Sequence, residues 1–530
     1  MAQYDAIIIG GGINGLVTTG LLQKAGLSTL LLEAGGGFGG LAAQVDAEGQ
    51  PQAPSLAQSG MISPSVFRSL NLSSQGLSVQ PERLDQEFHH PGYDSFRLFA
   101  GDADQQQAVM SRFSPRDADR LPVFRARLTR LASALKPFLE RTPPRLAEMV
   151  LADRLELLRL GVSLKRLGRA DLRDFLRIIA MNEADLLEEV FESEAAQSLF
   201  AFDGVLGNLF GPRSPNTVFT LLYRWATAFD GASGSPVRPL GGAHALVGAL
   251  VRQARSLGAV LRSEAEVERV LLVDDRAAAV RLTSGEEVGA PLILSSLHPG
   301  RSCLDLLGVE HMDADWVRNL QHARGRGVNA ALTLSLAGLP ETEGSAAGWL
   351  RRRFVFAGGI RALEAAHDSA KYGELPDDPP FEASVSTGEK PGTFRMQVTA
   401  QYCPENLKVS SWQQEGEKLQ RSILRRLEEA YPGFNACVEG VRMQTPSDLA
   451  ASYGLPGGHW HHLELGLDQI YLLRPLPGWG QYSTPVEGFF LCGAGCHPGG
   501  GLQGAAGANA AHRALLHHKA RNKTLRAKGG

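Results

Sequence analysis

Gly10, Gly12 and Gly15 stand in G-x-G-x-x-G spacing behind a short apolar run, and Glu33 closes the next apolar run. These residue types at this spacing can hold a dinucleotide. Gly10 permits a tight turn, Gly12 lets a pyrophosphate approach the backbone, and Gly15 lets a helix pack closely on its strand. A helix opening at Ile13 and Asn14 offers unpaired N–H groups and a partial positive charge to the phosphates. Glu33 is placed to accept hydrogen bonds from a ribose, and it repels a 2′-phosphate. Just beyond it Gly39 and Gly40 form a doublet that lets backbone crowd a second part of a long cofactor. That favours FAD over a nicotinamide nucleotide, with a flexible loop as the plain alternative.

A second glycine bed lies near the other end, FFLCGAGCHPGGGLQGAAGANAA, with seven glycines between residues 489 and 511. Cys492 and Cys496 have three residues between them, the wrong spacing for a C-x-x-C redox pair, and His497 does not complete a zinc set. Packing is the expected role of Cys492. His459, His461 and His462 also invite a metal reading, but adjacent residues of extended chain point to opposite faces. No metal is expected. The stretch reads instead as a strand ending at Gly493, a loop suited to close packing, and a small-residue helix able to lie flush against a cofactor.

The elements that must position these residues are legible around them. Residues 4–9 suit a buried parallel strand, 13–24 a helix closed by Gly26, and STLLLE a second strand. Residues 244–258 read as a helix, followed by alternating strands joined near Asp274–Arg276 and a returning strand, LILSSLHP. Residues 112–200 carry helical patterns with Pro137, Pro143 and Pro144 as expected breaks. Within them LADRLELLRLGVSLKRLGRADLRDFLRIIA mixes apolar and basic positions, either a membrane-surface helix or a solvated cap whose arginines pair with nearby acids. The basic tail HHKARNKTLRAKGG is expected to be disordered.

Composition narrows the class. A chain of 530 residues predicts two or three domains, and its net charge of −3 argues against a nucleic-acid binder. Five scattered cysteines fit a reducing compartment without a disulfide framework. No uninterrupted apolar run spans a bilayer, and the glycine-broken AIIIGGGINGLV makes a poor signal peptide. The expected place is the cytoplasm, with peripheral attachment to the inner face of the membrane as an extension.

The segment GGGINGLVTTGLLQKAGLSTLLLEAGGGFGG resembles the FAD-binding start of the phytoene-desaturase-like flavoproteins, which lie near the flavin amine oxidases. FSPRDADRL (113–121), RPLGGAHALVGAL (238–250), HHLELGLDQIYLLRPLP (461–477) and LCGAGCHPGGGLQGAAGANAA (491–511) resemble further motifs of that family. The chain departs from it at Ala34 and Gly35, where a basic residue is common, and at Ile13, Cys496 and Ala506–Asn509. The resemblance implies an α/β fold: a discontinuous Rossmann-like, glutathione-reductase-like FAD domain (1–80, 236–300 and 463–530). A helical cap (81–235) and a substrate-domain sheet (301–462) would interleave with it.

It also implies that Gly10, Gly12, Ile13, Asn14, Gly15, Glu33, Gly39 and Gly40 contact FAD. Val267 would meet the adenine, Gly493, Ala494 and Gly495 the phosphates, and Leu502 and Gln503 the isoalloxazine. A helix starting near Gly504 would direct its dipole at the flavin. His462 and Gln503 are the catalytic candidates, and an apolar residue at 502 suits a hydrocarbon-like, carotenoid- or isoprenoid-like substrate. Electrons would leave to O₂ or a quinone, since no second dinucleotide fingerprint appears. The alternatives are an amine oxidase-type enzyme, a non-catalytic flavoprotein that binds partners, and an NAD dehydrogenase.

Overall fold

The computed structural model describes residues 3–43, 60–147, 149–231, 233–340 and 345–529. Five strands form a parallel sheet: β1 (Ala6–Ile9), β2 (Thr29–Leu32), β3 (Val260–Arg262), β4 (Leu292–Ser295) and β5 (Phe489–Leu491), in the order β5-β4-β1-β2-β3. β1, β2, β4 and β5 are buried throughout, as strands covered on both faces must be. Their register aligns Ala6 with both Thr29 and Leu292, which brings the C-terminal ends of β1, β2 and β4 to one edge. Contributions from residues 6, 260, 292 and 489 make this unit discontinuous in sequence.

Two helices cover its functional edge. Helix α1 (Ile13–Lys24) follows β1 after Gly10, whose φ is +93°. A Cβ at Gly15 would stand 2.0 Å from the Gly10 carbonyl oxygen, so helix and strand meet only because no side chain intervenes. The last helix, Ala505–Gly529, packs against α1 in the same way. Gly507 faces Asn14 so closely that a Cβ would lie 2.2 Å from its carbonyl, and Gly507 N–H donates to Asn14 Oδ1. This helix continues through the basic tail that the sequence suggested was disordered. Once its first turns are docked, each further residue adds a hydrogen bond without a new nucleation cost.

A three-stranded antiparallel ribbon flanks the sheet (Val267–Val273, Arg276–Leu282, Glu287–Gly289), with Asp274 and Asp275 both at positive φ in its first turn. Opposite stands a seven-stranded sheet built mainly from residues 329–444. Its last two strands, Asp85–His90 and Tyr93–Leu98, come from the segment expected to be a helical cap, and Asp85–His90 pairs in parallel with Arg352–Phe356. Conversely Cys303, Leu306, Leu307 and Leu320, from the segment assigned to the substrate sheet, are buried in the core of the cofactor unit. Apolar burial, rather than chain position, sets both boundaries.

The remaining cap is helical. Its longest helix, Pro115–Leu139, runs through Pro122 and Pro137. Each proline forfeits one backbone hydrogen bond, while Leu121, Phe124, Leu128, Leu131 and Leu135 hold one face of the helix in the cap core. Among the described residues, no helix is long and apolar enough to cross a membrane.

Candidate cofactor site

A cavity of about 400 Å³ runs along the C-terminal edge of the parallel sheet. Gly10, Gly12, Ile13, Asn14, Glu33, Gly39, Gly40, Val267, Ala494 and Leu502 line it, drawn together from both ends of the sequence and the ribbon. Gly15, Gly493, Gly495 and Gln503 are not among the residues that line it. A Cβ at Gly493 would lie 2.2 Å from the Ser296 carbonyl and one at Gly495 2.4 Å from Pro299, so these two glycines serve packing around the loop after β4.

Glu33 is held from both sides. Gly11 N–H donates to its Oε2 at 2.6 Å and Gly35 N–H to its Oε1 at 2.9 Å. Burial raises its pKa, and the hydrogen bonds from Gly35, Gly11 and Ala34 oppose that rise. Gly39, at φ +121°, donates to the Gly11 carbonyl and so brings the second glycine loop beside the first. The arrangement fits an elongated dinucleotide. A Cβ at Gly12 would meet no protein atom within 4 Å, because that face of the turn opens into the cavity. At the far end, His462 lines the cavity with its buried Nδ1 unpartnered.

The far end is built from Leu41, Leu455, Trp460, His462 and Gly500–Leu502. Trp460, Gly500 and Gly501 also line a smaller space of about 40 Å³, together with Asp203, Tyr223, Arg224, Thr227 and His461. Leu502 therefore faces one apolar wall, but the adjoining space is polar. Asp203 accepts from Arg224 at 2.5 Å and from Arg353 at 2.7 Å. Although burial works against its ionisation, those two arginines hold its carboxyl below the usual range. Gln503 points to this side, donating to the Tyr223 hydroxyl at 3.0 Å, while that hydroxyl donates to the Gly500 carbonyl at 2.7 Å.

The histidines are tied into backbone. His461 Nδ1 accepts from Gly500 N–H at 3.0 Å, and His459 Nδ1 accepts from His461 N–H at 3.2 Å. Burial drives the pKa of His461 and His462 well below the ordinary value, aided by neighbouring His and Arg474. His462 is thus a neutral hydrogen-bonding group near pH 7. Among the described residues, the grouped donors close enough to share an ion are Glu364, His367 and Asp368, which line neither cavity. Cys492 and Cys496 are buried and free, and burial pushes the Cys492 thiol up to about 12.

Sequence reasoning did not give Arg474 its structural weight. Its guanidinium is fully buried and donates to six carbonyls, those of His461, Leu463, Glu464, Gln469, Ala494 and Cys496. It thereby joins the histidine loop to the C-terminal glycine bed. Trp460 and Tyr223 also escaped notice, because no spacing pattern links them to the glycine motifs.

Comparison with known proteins agrees with this geometry. Residues 8–62 match the NAD(P)-binding Rossmann-like domain. The chain is 30% identical to pyridine nucleotide-disulfide oxidoreductase domain-containing protein 2 of Rattus norvegicus, over 96% of this chain and 93% of that protein. It is 25% identical to the lycopene-forming phytoene desaturase of Pseudescherichia vulneris, over 96% and 98%. Its fold is similar to that of cyclohexylamine oxidase from Brevibacterium oxydans IH-35A, with a TM-score of 0.57, 16% identity and coverage of 98% and 99%.

Proposed function

Because the chain belongs to the phytoene-desaturase-like family of FAD-dependent oxidoreductases, we propose that it binds FAD along the glycine-lined cavity and oxidises a lipophilic small molecule at the Trp460–Leu502 end. The observation that carries this reading is that the two spaces adjoin, with Trp460, Gly500 and Gly501 lining both. The ADP half of the cofactor would lie between Gly10–Asn14, Glu33 and Val267, with the flavin toward Leu41, Leu455 and Leu502. When bound, the flavin supplies a two-electron acceptor for a hydride from a substrate C–H bond, and an external acceptor such as O₂ or a quinone later removes the electrons.

The chain's own residues would position and desolvate. Trp460, Leu455 and Leu502 exclude water from the reacting end. Tyr223, tied to Gln503 and to Gly500, lines the smaller space. His462, held neutral, would orient a polar edge of cofactor or substrate. The Arg224–Asp203 pair favours a substrate with a polar terminus over an unbroken hydrocarbon. The Trp460 wall and the neighbouring carboxylate also keep amine oxidation as a second reading.

A lipophilic substrate must be delivered. On the cap helix Leu151–Lys165, Leu151, Leu155, Leu158 and Val162 are exposed along one stripe, with Leu146 and Val150 beside its start. Its acids are engaged, Asp153 by Arg145 and Glu156 by Arg141 and Arg159. This supports peripheral contact with a membrane surface as the delivery route.

The test is anaerobic titration of the flavin-loaded protein with isoprenoid hydrocarbons, their hydroxylated or carbonyl derivatives, and lipophilic amines, following loss of flavin absorbance. Bleaching by the isoprenoids carries the proposal, and strongest bleaching by derivatives with a polar end supports the role of Arg224–Asp203. Bleaching by amines alone selects the second reading. A protein that neither contains nor takes up FAD refutes both.

A further inference from the structure

Between Lys24 and Arg68 the chain contains no Lys or Arg. This stretch includes the loop after β2 that carries Glu33, Gly39 and Gly40. The first glycine turn contributes no cation either, so the cavity receives no positive side chain from the N-terminal unit. Its acidic lining groups are Glu33 and Glu266. A dinucleotide pyrophosphate brings two further negative charges, and the first turn of α1 offsets only part of them.

One cation faces this space. Among the described residues, Arg301 is the single Lys or Arg side chain lining the cavity. It opens the helical segment Arg301–Gly308, four residues beyond Leu297, which also lines the cavity. Its Nη2 donates to Glu266 Oε1 at 3.0 Å, beside Val267 at the start of the ribbon. Its Nη1 faces the opposite wall, 2.8 Å from where a Cβ of Gly454 would stand. The guanidinium therefore bridges the two sides of the cleft and remains about one-third exposed.

We infer that Arg301 is the cation that recognises the ADP half of the cofactor, supplying from the segment after β4 the charge that the N-terminal unit lacks. The inference rests on the proposed FAD site. Glu266 would keep the guanidinium aimed across the cleft in the free protein, and the pyrophosphate would share it on binding. A planar guanidinium suits that exchange because it offers donors on two edges.

The experiment compares FAD and riboflavin binding to flavin-stripped protein by fluorescence quenching, for wild type, Arg301→Gln, Arg301→Lys and Glu266→Gln, at low and high salt. Riboflavin lacks the ADP half and reports on the rest of the cleft. Arg301→Gln is expected to weaken FAD binding about tenfold or more at low salt, with a smaller gap at high salt. Riboflavin binding should not change. Arg301→Lys should retain most of the affinity, and Glu266→Gln should bind FAD as well as or better than wild type. Equal FAD affinity in wild type and Arg301→Gln overturns the inference. So does an equal loss for FAD and riboflavin, or a Glu266→Gln variant as weak as Arg301→Gln, which would make Arg301 a structural clasp. Failure of wild type itself to bind FAD would remove the proposed site and the inference with it.

Discussion

Replacing Arg474 by lysine tests how the Trp460–Leu502 end of the cavity is held. The loop from His459 to Arg474 has only short helical turns, so its carbonyls lack the partners that a sheet or long helix would provide. The guanidinium supplies them, reaching six buried carbonyls at 2.6–3.2 Å. An ammonium has three N–H donors on one atom, so at least three of those carbonyls lose their partner. At about 1–3 kcal/mol for each buried polar group left unsatisfied, the expected loss is about 3–5 kcal/mol after partial relaxation. That is a large part of the stability of an ordinary domain. Arg474→Met should cost at least as much, because it removes all six bonds. The assay is urea unfolding by tryptophan fluorescence, with flavin release followed in parallel, and both variants should release flavin at lower urea than wild type. If Arg474→Lys shifts stability by less than about 1 kcal/mol and keeps its flavin, the carbonyls do not depend on the guanidinium and the reasoning fails.

The two glycines of the first turn should separate folding from binding. Gly15→Ala, with its Cβ 2.0 Å from a carbonyl, is expected to lower both melting temperature and flavin content. Gly12→Ala, unobstructed by protein, should lower flavin content alone. The acid limb of stability should depend on Glu87. Burial opposes its ionisation, but His89, Tyr431 and Arg97 outweigh it and hold the carboxyl down to about 2 from 4.5. Its contribution is complete above pH 4.5 and is lost as pH falls toward 2. Glu87→Gln should therefore cost about 3 kcal/mol near neutrality and approach no cost near pH 2, read from urea midpoints across pH. In the native protein a thiol reagent should modify Cys437 and spare Cys303, Cys403, Cys492 and Cys496, which are buried. Rapid native reaction at Cys492 or Cys496 would contradict the packing role. Leu155→Glu with Leu158→Glu should abolish co-sedimentation with anionic vesicles and leave the melting temperature unchanged, since both side chains are exposed. Unchanged sedimentation would refute the delivery route.

Local patterns were legible where a backbone requirement admits only one residue type. The turn at Gly10, the contact at Gly15 and the open face at Gly12 follow from glycine spacing beside a strand, and α1 occupies residues 13–24 as its periodicity implies. Glu33 was legible because it ends a strand parallel to β1. The flush packing of the last helix on α1 was foreshadowed by its small residues. Less legible were features that depend on partners distant in sequence. The close packing of Gly493 and Gly495 against the loop after β4 is not visible in their spacing. Asp85–Leu98 joined a sheet formed mostly some 240 residues later, because its edge pairing lies with Arg352–Phe356.

The sequence by itself determined the dinucleotide cradle, because short-range steric and hydrogen-bonding rules act between neighbours and leave a fixed spacing. Only the tertiary structure decided what surrounds that cradle. Arg474 takes its place from six carbonyls contributed by separate turns. Arg301 enters the cavity from the helical segment that follows β4. Trp460 and Tyr223 line one space although they lie 237 positions apart in the chain. Such contacts arise when apolar surfaces bury against one another, and burial depends on where the whole chain goes rather than on any local pattern.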